Sequence, residues 1–466
     1  MTIPDRFPAV LAATAMGVYL LLVVGATTSL TEAAAACSGW PLCGGGAALP
    51  VETAGWIALG HRAIAAVVGV LVVLSVALAW RDGASRRVRG ALTAALLLFP
   101  AQAGVGALVA VGGLPASLGP VHLLLGVTIF GAVLAALAWW LEAETGVADD
   151  APVDFQAGTD DLPPVDEAPE PEIPTAAVPR LKATAAAYFR LMKPRLMWLL
   201  CLVAAAAMAL AAGSALGVRT IVFTLGGGVL AIGASGTFNH VLEREKDKKM
   251  SRTNDRPMAT HQIPARNAIV FGLVLTVLSI GAFLQLNPLT AALGLTAIIF
   301  YSIIYTLLLK PNTVQNTVIG GAAGSLPALI GWAAVTGRIG VAGVMLATVI
   351  FVWTPAHFYN LALAYKEDYA RGGFPMMPVV RGETTTRKHI LLWIGTTLAA
   401  TTVLIWLTRL GWVAAVSTTA LGAVFIWAAI KLHREQTEQA AFRAFHASNA
   451  YLGTLLIAVV VDALAF

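Results

Sequence analysis

Apolar residues run through this chain in blocks of about 18 to 25, broken by short polar turns, and blocks of that length match membrane-crossing helices. The pattern predicts four helices in the first part, at roughly 8–31, 55–80, 89–111 and 119–141. It predicts nine more at roughly 194–214, 219–240, 267–286, 289–309, 315–336, 339–363, 390–409, 412–432 and 447–465. Between the two groups the pattern fails. From Glu142 to Pro179 the chain is rich in proline and acids, among them Asp149, Asp154, Asp160, Asp166 and Glu170, and has no Lys or Arg. Such a segment cannot bury a core and is expected to be a disordered, self-repelling tether. The expected architecture is therefore an all-α polytopic membrane protein. It comprises a four-helix unit over 1–145, an acidic Pro-rich linker over 146–184 and a nine-helix bundle over 185–466.

Composition closes off other classes. With 58% hydrophobic and 12% charged residues and a mean hydropathy of +0.78, the 466-residue chain is not a soluble protein. Its environment is a lipid membrane, the cell membrane, and no nucleic-acid partner is expected. Lys and Arg concentrate on the cytoplasmic side of membrane proteins. Here Arg81, Arg86, Arg87 and Arg89, the approach with Lys182, Arg190, Lys193 and Arg195, and the stretch from Lys366 to Lys388 fall on one side of a 13-helix path. The amino terminus and the linker are thus expected in the cytoplasm. Arg6, the first apolar run and "TEAAAAC" imitate a signal peptide, but the run is long and is read as a retained helix.

One polar stretch interrupts this economy, "NHVLEREKDKKMSRTNDRP" at 239–257. Asn239, Glu243 and Asp247 recur every four residues, so on a helix they span about 80° of one face and roughly 12 Å of its length. Three oxygen ligands on one wall suit Mg²⁺, which completes its shell with water and substrate phosphates. Arg252 and Arg256 follow, placed to bind a diphosphate. The bland alternative is a solvated positive-inside loop whose acids pair with its bases. A second acidic cluster, Glu367 and Asp368 in "WTPAHFYNLALAYKEDYARGGFPMMPVVRGE", favours a site: two clusters across one bundle can hold metal ions on one diphosphate while a carbocation forms in an apolar cavity.

"KPRLMWL", the 239–257 stretch, "LKPNTVQNTVIGGAAGSLPALIGW" and "WTPAHFYNLALAYKEDYARGGFPMMPVV" resemble the signature segments of the protoheme IX farnesyltransferases (heme O synthases) of the UbiA prenyltransferase superfamily, over about 185–466. The resemblance implies attack by a vinyl group of heme b on a farnesyl cation from farnesyl, or a longer prenyl, diphosphate. It puts Asn239, Glu243 and Asp247 on the first metal motif and Asp368 on the last acid of the second. Lys193, Arg252, Arg256 and Lys310 fall on basic positions near the diphosphate. Two departures stand out: Glu243 replaces the usual Asp, and Ala364 stands where the second motif often has an acid. Glu367 either compensates or forms a salt bridge with Lys366 or Arg371. His357, near Trp353 on the helix feeding the second motif, is expected to contact the heme.

The first four helices carry their own set, Glu32, Cys37, Cys43, His61 and His122, all near the outer face under this topology. Cys37 and Cys43 lie where a disulfide persists. His61 and His122, at similar depth in the second and fourth helices, could ligate one heme iron through imidazole. The unit resembles one half of the heme A synthases, whose halves each carry a His pair, with a Cys pair around "WPLC" and an acid after the first helix, here Glu32. That family oxidises a methyl group of heme O to a formyl. Since this chain has one half, a homodimer would restore two His pairs, or the unit would bind a heme that feeds the transferase. The competing readings are a UbiA-type enzyme acting on an aromatic quinone precursor, and a heme-binding carrier or transporter.

Overall fold

A computed structural model describes residues 6–28, 37, 39–43, 50–111, 118–146 and 176–465. All regular structure among them is helical. Before the linker stand α1 (Arg6–Thr28), α2 (Thr53–Arg81), α3 (Arg86–Val111) and α4 (Leu118–Thr145). After it come α5 (Ala177–Leu191), α6 (Pro194–Ala212), α7 (Val218–Asp247), α8 (Ala265–Leu284) and α9 (Pro288–Ile299), which runs into a π-helical segment, Phe300–Leu309. Then follow α10 (Asn316–Thr336), α11 (Val341–Ala364), the short α12 (Lys366–Arg371) and α13 (Met377–Arg381), and α14 (Glu383–Thr408), α15 (Trp412–Glu435) and α16 (Glu438–Ala465). Thirteen of these spans are long and apolar enough to cross a membrane.

The contacts divide the chain into two compact units, one of residues 1–147, 387–436 and 446–458, the other of 148–386, 437–445 and 459–466. These units cut across the domain limits drawn from composition, because α14 and α15 group with the first four helices. In the first unit the close approaches are made at glycines, as packing between membrane helices requires where no hydrophobic effect draws them together. A Cβ on Gly17 of α1 would come within 2.8 Å of Val68 on α2, and one on Gly126 of α4 within 2.6 Å of Leu22 on α1. Gly422 lets α15 rest on Tyr19 of α1, and Gly395 lets α14 rest on Leu134 of α4. Lys388 and Glu142 close the unit with an ion pair.

The second unit follows the same rule. A Cβ on Gly331 of α10 would stand 2.3 Å from the Ala204 carbonyl of α6, so those two helices touch backbone to backbone. Gly227 of α7 faces the Phe283 ring of α8, and that residue's neighbours Ala231, Leu275, Ala291 and Ile298 form a buried cluster.

Four boundaries differ most from the expectation, one of them the start of α14, at Glu383 rather than near 390. Helix α7 continues to Asp247 rather than stopping near 240, because Glu243 and Asp247 find cationic partners and need not leave the helix for water. Residues 177–184, assigned to the linker, open α5, an Ala-rich segment whose Ala187 and Leu191 are buried. Helix α16 starts at Glu438, not 447. The acidic part of the linker, 147–175, and Glu32 lie outside the described residues.

Candidate active site

Because α7 stays helical to its end, Asn239, Glu243 and Asp247 line one buried wall, only 2%, 3% and 0% exposed. Each is held by a base from another segment. Lys310, just past the π-helical segment, donates to Glu243 Oε1 at 2.6 Å. Arg256 folds back from the loop after α7 and donates through Nη1 to both oxygens of Asp247 at 2.9 Å. Lys193 donates to Asn239 Oδ1 and to the Tyr301 hydroxyl at 3.2 Å. Three basic side chains thus meet two carboxylates, which leaves room for an anion.

Lys193 occupies the turn between α5 and α6 in left-handed backbone geometry, φ 55° and ψ 57°, unusual for a residue with a side chain. Such strain persists where the surroundings impose it. Here Gly236 of α7 imposes it by proximity: a Cβ there would stand 2.8 Å from the Leu191 carbonyl and 3.2 Å from Lys193 Cγ. Burial of the ammonium among these groups, and then Arg256, draw its pKa down to about 7 against the pull of Glu243, although part of the side chain reaches the surface.

The two acids of the second cluster diverge. Asp368 is 4% exposed and accepts from Ser251 N at 3.1 Å, Ser251 Oγ at 2.7 and 2.8 Å, Arg252 N at 3.0 Å and Arg371 Nη1 at 2.9 Å. It ties the loop after α7 to α12. Glu367 points outward, its side chain 68% exposed, and pairs with Arg371 at 3.1 Å. Arg252 donates to the Tyr369 hydroxyl at 3.1 Å, with its guanidinium 4.7 Å from the Tyr365 ring centroid and 5.1 Å from that of Tyr369. Burial alone would lower its pKa, but Tyr369, Tyr365 and Asp368 together hold it above the ordinary value.

His357 is buried and stacked between Trp353 and Phe445, ring centroids 4.3 Å away on each side. Among the described residues no three His, Cys, Asp or Glu side chains are gathered as a metal cluster. The oxygen set of the α7 wall is two carboxylates and a carboxamide, the donor chemistry Mg²⁺ accepts when phosphates and water complete the shell. Site residues that the sequence reading passed over are Tyr301, Thr306, Ser251, Tyr365 and Tyr369. Ser251 had a signal, its place inside the basic loop. Tyr301 and Thr306 had none, since they sit in an apolar run without polar phase.

In the amino-terminal unit Cys37 and Cys43 are joined as a disulfide. Arg62 clamps that loop, donating to Cys37 O at 2.9 Å, Gly39 O at 2.7 Å and Pro41 O at 3.1 Å. Its neighbour His61 and His122 lie within electrostatic reach of each other, and the Nδ1 atom of each is buried without a hydrogen-bond partner. His61 rests against Gly25 of α1 and His122 against Gly106 of α3, where Cβ atoms would come within 3.4 and 2.9 Å of the rings. Gln102 Nε2 lies 3.3 Å from His122 Nε2.

The UbiA prenyltransferase family profile matches residues 199–453. A protoheme IX farnesyltransferase of Haloarcula marismortui is 62% identical, with 98% of each chain covered. Protoheme IX farnesyltransferase 1 of Natronomonas pharaonis is 59% identical over 98% of this chain and 99% of its own. A solved structure of digeranylgeranylglyceryl phosphate synthase superposes on 61% of this chain and all of its own with a TM-score of 0.52 at 14% identity, a likeness of fold. With the buried wall of α7 and its ring of bases in place, these relationships lead to one conclusion: the chain belongs to the UbiA prenyltransferase family.

Proposed function

We propose that this membrane prenyltransferase moves a farnesyl group from farnesyl diphosphate to a vinyl group of protoheme IX, diphosphate leaving and water adding to the resulting side-chain cation with loss of a proton, making heme O for terminal oxidases. The observation that carries the reading is the buried Asn239–Glu243–Asp247 wall, ringed by Lys193, Arg256 and Lys310, in a chain alike over its full length to proteins named for that reaction. When diphosphate arrives, the bases exchange carboxylate for phosphate oxygens, and the freed Glu243 and Asp247, with Asn239, are the residues that would hold the metal. Mg²⁺ bound there would act as a Lewis acid and offset the charge of the departing diphosphate. Arg252, set against Tyr365 and Tyr369, and Lys193 hold the diphosphate in place. Asp368 keeps the Arg252 loop against α12, and Glu367 stays an outward partner of Arg371 rather than a metal ligand. His357 contacts the heme. The test is acceptor choice: with farnesyl diphosphate and Mg²⁺ the protein should prenylate heme b and leave 4-hydroxybenzoate unchanged, and the reverse preference would overturn the heme assignment.

The Lys and Arg distribution supports a cytoplasmic amino terminus and a cytoplasmic diphosphate site. Labelling by an impermeant reagent of a cysteine placed at Lys248 from the outer face would contradict it. The amino-terminal unit is proposed to bind a heme between His61 and His122, whose partnerless Nδ1 atoms and glycine-lined seats leave the rings poised for a ligand. A homodimer would bring two such pairs into one particle. Full-length protein should take up heme with a six-coordinate spectrum, which His61→Ala and His122→Ala each convert or abolish; spectra identical to the parent would remove the assignment.

A further inference from the structure

Between α9 and Lys310 the winding of the chain changes. Phe300–Leu309 is π-helical over 10 residues, and the Lys310 amide bonds the Tyr305 carbonyl at 2.8 Å, a step of five. Such segments are rare and gather at functional sites. The winding decides which side chains share a face. At 100° per residue, Tyr301 and Lys310 would stand on opposite sides of an α-helix. With bonds spanning five residues there are roughly 4.4 residues per turn, so nine residues make about two turns and both return to one side. The contacts agree: Tyr301 accepts from Lys193, Thr306 accepts from Asn239 at 3.0 Å, and Lys310 donates to Glu243.

Thr306 bonds differently from two threonines in the neighbouring membrane helices. Thr237 and Thr276 simply return their proton to the carbonyl four residues back. Thr306 gives its proton to the Tyr301 carbonyl, five residues back, at 2.8 Å. That single proton is then committed, so toward Asn239 the hydroxyl can only accept, and Asn239 must present its NH₂. The amide oxygen is thereby fixed on the other side, toward Lys193.

We propose that Thr306 is a positioning residue: its π-helical seat locks the Asn239 amide so that the oxygen, not the NH₂, faces the cation and diphosphate. The proposal rests on the reading of the α7 wall as a diphosphate site. Its test uses the full chain, Mn²⁺ as the metal and inorganic diphosphate, without heme or turnover, with bound Mn²⁺ read by electron paramagnetic resonance. Thr306→Val keeps the shape but removes the acceptor, and should weaken Mn²⁺ binding in the presence of diphosphate roughly tenfold, the effect of one buried hydrogen bond. The KM for farnesyl diphosphate should rise alongside. Thr306→Ser should bind like the parent. In an Asn239→Asp background, where both poles are oxygen, Thr306→Val should have no further effect. Equal binding by parent and Thr306→Val, or equal loss in Thr306→Ser, would overturn the role of Thr306. A parent that binds no Mn²⁺ with diphosphate would retire the diphosphate reading itself, and the proposal with it.

Discussion

At the scale of single residues, the wall of α7 is an electrostatic bargain that the protein holds until substrate comes. Glu243 is 3% exposed and is held by the Lys310 ammonium, so removing the base strands a buried carboxylate. Lys310→Met should therefore lower stability by about 3 kcal/mol, visible as a fall in melting temperature in detergent. Adding Glu243→Leu should restore most of that stability, since a buried ion pair and a packed apolar pair are often equivalent. Activity should stay lost, because both partners serve the substrate. A double variant no more stable than Lys310→Met would contradict this account. The acids and bases of this wall were legible as a four-residue spacing beside a cluster of bases. Their pairing was not, because spacing places residues on a face without saying what comes from the other segments. The divergence of Glu367 from Asp368 was equally hidden, as adjacent positions on a short helix point about 100° apart.

At the scale of elements, the existence of the long helices was legible, while the short α5, α12 and α13 and helix phase were not. The apolar blocks located all thirteen long spans, since lipid forces the backbone to satisfy itself within each helix. The π-helical turn left no mark, because "FYSIIYTLLL" offers no alternation of polar and apolar positions from which to read a period. The meeting of the α5–α6 turn with α7 was also invisible, though it decides where Lys193 points. Gly236→Ala should push that turn outward, since its Cβ would strike the backbone carbonyl of Leu191. Turnover should fall at least about tenfold, as small misplacements in a site cost heavily, with helical content unchanged. Gly228→Ala on the same helix, where a Cβ meets nothing within 4 Å, should be silent. Equal activity in both variants would remove Gly236 from the account of the site.

At the scale of the whole molecule, composition revealed a membrane protein with an acidic break, and the motifs of its second part revealed the family. The compact units, which place α14 and α15 with the first four helices, could not be read from the sequence, because apolar helices of similar composition carry no label of their neighbours. What joins the scales is the claim that the buried wall of α7 is where a prenyl diphosphate gives up its prenyl group to a heme and releases its diphosphate. The most direct measurement is an assay of the purified full chain with reduced heme b, farnesyl diphosphate and Mg²⁺, following heme products by chromatography and mass, with Asp247→Ala and a chelated sample alongside. The account predicts a product with the mass of heme O from the parent, and none from Asp247→Ala or without divalent metal. Heme O formed undiminished by Asp247→Ala, or no prenylated heme from the parent, would contradict it.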